Sequence, residues 1–296
     1  MKDFTIVVQG PLTKASTCAC VHFLDHYNED YPVVISTWSS DNNETVEVPE
    51  GVTVVYDDLP DREQGKLYDP QSTFYWAVKS QYNAVANVKT KYVVKTRTDE
   101  GFYPIKNIID SYREGDAEVL FGNVFFKPFK EYAYHIGDHL YVCETEVAVK
   151  ALKTLLDIYE EKQKPQDWAV QNVNRSDENS YCAEQILAFA LLEALGYDFY
   201  TNIRPTQAST SVIGTRDGKP KIVSIRNWEK KPLLENFDIY DIDDFEDYVC
   251  RWAHENIIFS KNPELRKSLS VRGGKLAEES YFIDFKYGAI SRKEDI

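Results

Sequence analysis

Residues 91–100 of the chain read KYVVKTRTDE. The run from Tyr92 to Lys95 is short, apolar and β-branched, the pattern of a buried strand, and it ends in a burst of charge. Such a strand delivers Arg97, Asp99 and Glu100 to the carboxyl edge of its sheet. Three earlier runs repeat the pattern. Phe4 to Val8 (FTIVV) is closed by Gly10-Pro11, Val33 to Trp38 (VVISTW) runs into the polar turn SSDNN, and Val52 to Tyr56 (VTVVY) ends in Asp57-Asp58. Helices are predicted over Thr13 to Tyr27 and Phe74 to Val88. Strands alternating with helices imply a mostly parallel α/β sheet. Sheets of that kind bind ligands at the carboxyl ends of their strands. The polar residues Gln9, Ser39, Asp41, Asp57, Asp58, Arg97, Asp99 and Glu100 gather at those ends.

Further along, Val119 to Phe126 reads as a strand, and His135-Ile-Gly-Asp138-His139 leads into the apolar LYVC. A helix is predicted from about Glu146 to Glu161, then a polar loop over 162–180, then a strong helix from Ala183 to Leu195 closed by Gly196. The reading divides the chain into an α/β catalytic domain over 1–237 and a C-terminal extension over 238–296. The extension opens on the acidic stretch DIYDIDDFED and is expected to be largely helical.

Composition limits the function classes. With 43% apolar residues in a chain of 296, a sizeable core is available and disorder is excluded. A formal charge of −14 argues against binding a nucleic-acid backbone. No run of about 18 apolar residues suggests a membrane span, and the apolar stretch at the N-terminus is too short for a signal peptide. The odd number of scattered cysteines, 5, reads as reduced thiols, which makes a cytoplasmic location the expectation. Lys261, Arg266, Lys267, Arg272 and Lys275 would give a peripheral membrane contact if the acceptor were lipid-linked.

Three motifs carry chemistry. Asp99, at a strand end, is placed to hold a Mg²⁺ or Mn²⁺ ion bridging a nucleotide diphosphate; its bland reading is an acidic turn. Glu184, in the first turn of a helix after a polar loop, is either a partner of the helix dipole or a general base. The His135-to-His139 segment fits no standard zinc spacing and reads as a hydrogen-bonded cluster at the start of a strand. The chain has no GxxxxGK[ST] loop, no GxGxxG after the first strand and no GxSxG elbow, which disfavours a P-loop ATPase, a dinucleotide dehydrogenase and an α/β-hydrolase.

Taken in order, IVVQGPL (6–12), ISTW (35–38), VVYDD (54–58), KYVVKTRTD (91–99), HIGDHLYV (135–142) and AEQIL (183–187) resemble the WavE-like family associated with lipopolysaccharide synthesis. The resemblance covers about residues 4–200. It implies a GT-A-like, Rossmann-like glycosyltransferase that moves a sugar from a nucleotide-sugar donor to a hydroxyl of a glycan or glycolipid acceptor, with inversion. It further implies that Gln9, Gly10, Pro11 and Asp57 form the nucleotide pocket with Arg97 as a phosphate or sugar contact. Asp99 would be the ligand of Mn²⁺ or Mg²⁺, and Glu184 the base, with Asp138 second. Trp38 is read as core. The usual Asp-x-Asp metal motif of this fold stands here as Arg97-Thr98-Asp99, so a cation replaces the first carboxylate. Two other classes stay open. A sugar nucleotidyltransferase normally has a Gly-rich basic segment early in the chain, which residues 10–20 lack. A non-catalytic sugar-binding module on a degenerate transferase fold is suggested by the altered triplet.

Overall fold

The computed structural model describes residues 3–12, 19–40, 46–59, 74–115, 117–122, 138–160, 183–196 and 198–199, and beyond these only strand backbone within 211–292. The expected loop over 162–180 and His135 lie outside the described residues, as do 13–18 of the expected first helix and 123–126 of the Val119 strand.

Each of the four β-branched runs at the start is a strand: β1 (Phe4–Gln9), β2 (Val33–Trp38), β3 (Thr53–Asp57) and β4 (Tyr92–Arg97). β1 lies between β2 and β4, all three parallel, and β3 adds in parallel outside β2. β1 and β2 are buried along nearly their whole length, so their strands are covered on both faces. β7 (Tyr141–Glu144) continues the sheet antiparallel to β4, and β6 (Val119–Gly122) runs antiparallel to β7. The sheet is completed by β8 (Phe237–Tyr240), parallel to β6, in the order β8-β6-β7-β4-β1-β2-β3.

Strand alternation sorts the core into two layers. Phe4, Ile6 and Val8 of β1 and Val94 of β4 face a layer built with α1 (Leu24–Asp30) and α3 (Lys106–Glu114). Val7, Val34 and Val93 face the other layer, which includes α2 (Phe74–Val85), α4 (Thr145–Glu160) and α5 (Ala183–Ala194). The same alternation puts Gln9, Trp38, Lys95 and Arg97 on this second face. α2 turns polar residues inward where the sheet beneath it is polar. Ser80 Oγ reaches Ser36 Oγ and carbonyl oxygen at 3.2 Å, and Gln81 Nε2 donates to Gln9 Oε1 at 3.4 Å. α5 ends at Ala194, with Gly196 in the left-handed region at φ 82°, as the glycine signal predicts.

The C-terminal expectation needs correction. The described segments of the tail are strands, and no helix occurs among the described residues after Ala194. β9 (Asp247–Trp252) pairs with β10 (Glu255–Ser260) and also with β5 (Glu100–Tyr103), which directly follows β4. The physical reason is visible in DYVCRW and ENIIFS, short apolar and aromatic runs bounded by polar residues, which fit strands of about six residues better than helical turns. No helix of the described residues is long and apolar enough to cross a membrane. Cys20 and Cys143 are buried thiols.

Candidate functional site

The carboxyl ends of β1, β2 and β4 open into a cleft of about 500 Å³. Gln9, Gly10 and Pro11 come from the end of β1, Trp38 and Ser40 from the end of β2, and Arg97 from the end of β4. The first turns of α2 and α5 close it with Phe74, Trp76, Ala77, Ala183 and Glu184, and the corner before β7 adds Asp138 and His139. The register explains the meeting of distant segments: Gln9 is level with Ser36 on one neighbour and with Arg97 on the other. Trp38 is buried, as its core reading predicts, yet it also lines the cleft.

The turn after β1 is fixed by hydrogen bonds that consume its amides. Gly10 N–H donates to the Ser36 carbonyl at 3.1 Å, Pro11 has no N–H, and Leu12 N–H donates to Thr37 Oγ1 at 2.8 Å. Gly10 is required by geometry: its φ is 131°, and a Cβ there would stand 2.6 Å from Thr98 Oγ1. Gly10, Pro11 and Leu12 therefore have no main-chain donor left to offer a phosphate. The positive charge of the wall comes from side chains.

Arg97 supplies it. Its Nε donates to Asp99 Oδ1 at 2.8 Å and its Nη2 to Asp99 Oδ2 at 2.7 Å. Burial alone would raise the Asp99 carboxyl, but the Arg97 charge and both hydrogen bonds overcome it and hold that carboxyl below its ordinary value. A guanidinium has five N–H donors, of which Asp99 takes two, so others remain for the cleft that Arg97 lines. Asp99 itself does not line the cleft. Both of its oxygens already accept from a cation, and no group of three or more metal-type side chains occurs among the described residues. This donor set does not fit a divalent ion held on Asp99.

Asp57 also stands outside the cleft lining. Its Oδ2 accepts from Asn83 Nδ2 at 2.6 Å and lies 3.6 Å from Lys79 Nζ, while Oδ1 accepts from the Asp58 amide at 2.8 Å, so it ties β3 to α2. Of the residues expected at the site, the structure gathers Gln9, Gly10, Pro11, Arg97, Asp138 and Glu184 into one cleft and leaves out Asp57 and Asp99.

Sequence reasoning did not find what holds the 138–139 corner. Lys95 is fully buried, and its Nζ donates to the Asp138 carbonyl. Burial pushes the Lys95 amine down to about 8. Glu100 is fully buried as well, and its Oε1 lies 2.5 Å from His139 Nδ1. The other ring nitrogen, Nε2, is 3.4 Å from Asp138 Oδ1. The expected hydrogen-bonded cluster at the start of a strand is thus present for Asp138 and His139. The available signal was the pair of ionisable residues, Lys95 and Glu100, flanking the Arg97-Thr98-Asp99 triplet.

Neither a family model nor a curated protein matches the chain. Among solved structures, it is similar to the crystal structure of HddC from Yersinia pseudotuberculosis, at 11% identity and a TM-score of 0.30, over 49% of this chain and 78% of that one. A likeness of that size carries no inference about fold or activity.

Proposed function

We propose that the chain is a glycosyltransferase, moving a sugar from a nucleotide-sugar donor to a hydroxyl of a glycan or glycolipid acceptor with inversion. The observation that carries this reading is the cleft at the carboxyl ends of the parallel strands, which Arg97 lines together with two carboxylates, Asp138 and Glu184. Inverting transfer makes two electrostatic demands: neutralising the departing diphosphate and accepting the proton of the attacking hydroxyl. Arg97, held rigid by Asp99, meets the first demand, which makes a Mn²⁺ or Mg²⁺ ion dispensable. Asp138 and Glu184 are chemically able to meet the second. Gln9, Gly10 and Pro11 bound the donor, and Trp38, Phe74 and Trp76 offer aromatic surface to a base or a sugar ring.

A thermal-shift and calorimetric screen with UDP, GDP, ADP, dTDP and CMP tests this reading, followed by donor-turnover assays with the corresponding nucleotide sugars. Binding of one nucleotide is expected to stabilise the chain by about 2.7 kcal/mol at a hundredfold excess over Kd. Sugar release or transfer from its nucleotide sugar should follow, with or without EDTA. Binding without turnover would instead support a non-catalytic module, for which the engagement of Asp99 by Arg97 is the favouring observation. Pyrophosphate release from a nucleoside triphosphate and a sugar phosphate would support the nucleotidyltransferase. No binding of any nucleotide overturns all three.

A further inference from the structure

We propose that His139 is the proton acceptor of the transfer, oriented by the buried carboxylate of Glu100; the inference rests on the glycosyltransferase reading. Its starting point is a carboxylate–imidazole pair built across two elements. Glu100 opens β5 and is fully buried, while His139 sits at the corner before β7 and lines the cleft. With Glu100 as a carboxylate, which can only accept, the 2.5 Å approach of its Oε1 assigns the proton of a neutral ring to Nδ1. The lone pair of that neutral ring is then on Nε2, whose neighbour Asp138 Oδ1 at 3.4 Å also favours a proton there, so the base is the neutral form of a ring set between two carboxylates. Lys95, donating to the Asp138 carbonyl from beneath, holds the corner to β4.

The chemistry follows from that arrangement. As the acceptor oxygen forms its bond to the anomeric carbon, the bond from that carbon to the diphosphate oxygen breaks. The electron pair leaves on the nucleoside diphosphate against Arg97. The hydroxyl proton passes to Nε2, and the imidazolium so formed lies between the carboxylates of Glu100 and Asp138, which stabilise it. It later returns the proton to solvent. Glu100 is a positioning residue, because it touches the imidazole and not the reacting atoms. The charged groups around the ring are Glu100 and Asp138 in contact, Asp99 within electrostatic reach, Lys95 and Arg97 on β4, and Glu184 across the cleft lining. Glu184 and Asp138 are left to bind acceptor hydroxyls.

The test has a structural arm and a kinetic arm, both on the full chain. Nitrogen-15 labelling of the histidines reports the protonation of each ring nitrogen at pH 7.5, with His139→Gln assigning its signals. The expected result is Nδ1 protonated and Nε2 bare; Nε2 protonated overturns the proposal whatever the protein's function. In the kinetic arm, His139→Ala is expected to lower kcat by about 10²–10⁴-fold with UDP-glucose, UDP-N-acetylglucosamine or GDP-mannose, whichever the wild type turns over. Calorimetric affinity for UDP or GDP should change less than about threefold, and added imidazole should restore part of the turnover, which a structural role would not allow. Glu100→Gln should lower kcat with the donor KM unchanged. Turnover by His139→Ala near the wild-type rate overturns the proposal while leaving the transferase reading intact. A wild type that binds nucleotide but turns over none of the donors, even with Nε2 bare, overturns the transferase reading and the base with it.

Discussion

Arg97 and Asp99 form a two-pronged ion pair at the end of β4, with Nε to Oδ1 at 2.8 Å and Nη2 to Oδ2 at 2.7 Å, and only the arginine reaches the cleft. The two residues divide one task. The carboxylate, partly buried at 27% side-chain exposure, fixes the plane of the guanidinium, and the guanidinium presents its remaining donors to an anion.

Asp99→Asn should therefore weaken nucleotide binding about tenfold and cost about 1–3 kcal/mol of stability, because it leaves a half-buried cation without its counter-charge. EDTA should leave the wild-type affinity for UDP or GDP unchanged in calorimetry. The pair also has a pH signature. The Asp99 carboxyl is held below its unfolded value, so its contribution is complete above the ordinary aspartate range and is lost as pH falls through the lowered folded value. Acid titration of the melting temperature should show a steeper loss for the wild type than for Asp99→Asn. A strict requirement for Mn²⁺, or equal acid limbs for the two proteins, would refute this account.

Lys95 gives a second pH signature, of the same sign but in an alkaline window. Its folded value of about 8 lies below the ordinary lysine value of 10.5, so between the two the unfolded chain binds more protons than the folded one. Stability contributed by this site must rise with pH across that window, and the penalty is complete below it. Measured against Lys95→Met, the wild type should gain about 3 kcal/mol between pH 8 and 10.5, the worth of 2.5 pKa units. A flat difference would mean that the amine is not desolvated. The same variant should disturb the 138–139 corner and lower turnover.

Tyr27 mimics a strand edge. Its hydroxyl donates to the Phe102 carbonyl at 2.8 Å and accepts from the Phe102 amide at 2.7 Å, all within the core. Tyr27→Phe removes both partners from buried main-chain groups and should cost about 2–4 kcal/mol. Denaturant unfolding measures it, and a loss below about 0.5 kcal/mol would mean that water enters this part of the core. Because Phe102 lies two residues beyond Glu100, the variant should also lower turnover by loosening His139.

What could be read in the sequence follows the range of the interactions. β1, β2 and β4 were legible because parallel strands buried on both faces are continuous apolar runs, β3 at the sheet edge because its run is β-branched, and Arg97 followed as the residue on which the fourth run ends. α3 was missed although Ile105, Ile108, Ile109 and Tyr112 recur at helical spacing, since the helix is only 9 residues long and most of its other positions are charged or Asn. β5 was missed because Glu100–Tyr103 is short and contains a glycine. The tail was misread because charge density was weighed above the short β-branched runs it separates. The Glu100–His139 contact spans 39 residues and joins two elements whose pairing with their neighbours is set by the sheet, so no local pattern could announce it. Asp99 was expected to be a ligand from its place at the strand end; that both of its oxygens accept from Arg97, two residues earlier, is a side-chain geometry that spacing does not announce.

Glu184 distinguishes the sequence-based assignment of the base from the structural one. It stands in the first turn of α5 and lines the cleft, as the sequence led one to expect, while His139 lines the same cleft with its Nδ1 against the buried Glu100. If His139 takes the proton, Glu184 binds the acceptor, and Glu184→Gln retains a hydrogen-bonding side chain of the same shape. Its kcat should then fall less than about tenfold, with a higher acceptor KM and unchanged affinity for the donor nucleotide. If Glu184 is itself the base, the same change removes the basicity that the chemical step needs, and kcat should fall by about 10²–10⁴-fold at constant KM. The double variant with His139→Ala separates the cases further. Two residues serving one proton transfer give losses that do not add, whereas a binding residue and a base in separate roles give losses that multiply. A kcat loss above a hundredfold in Glu184→Gln, with no further loss on adding His139→Ala, would return the role of base to Glu184.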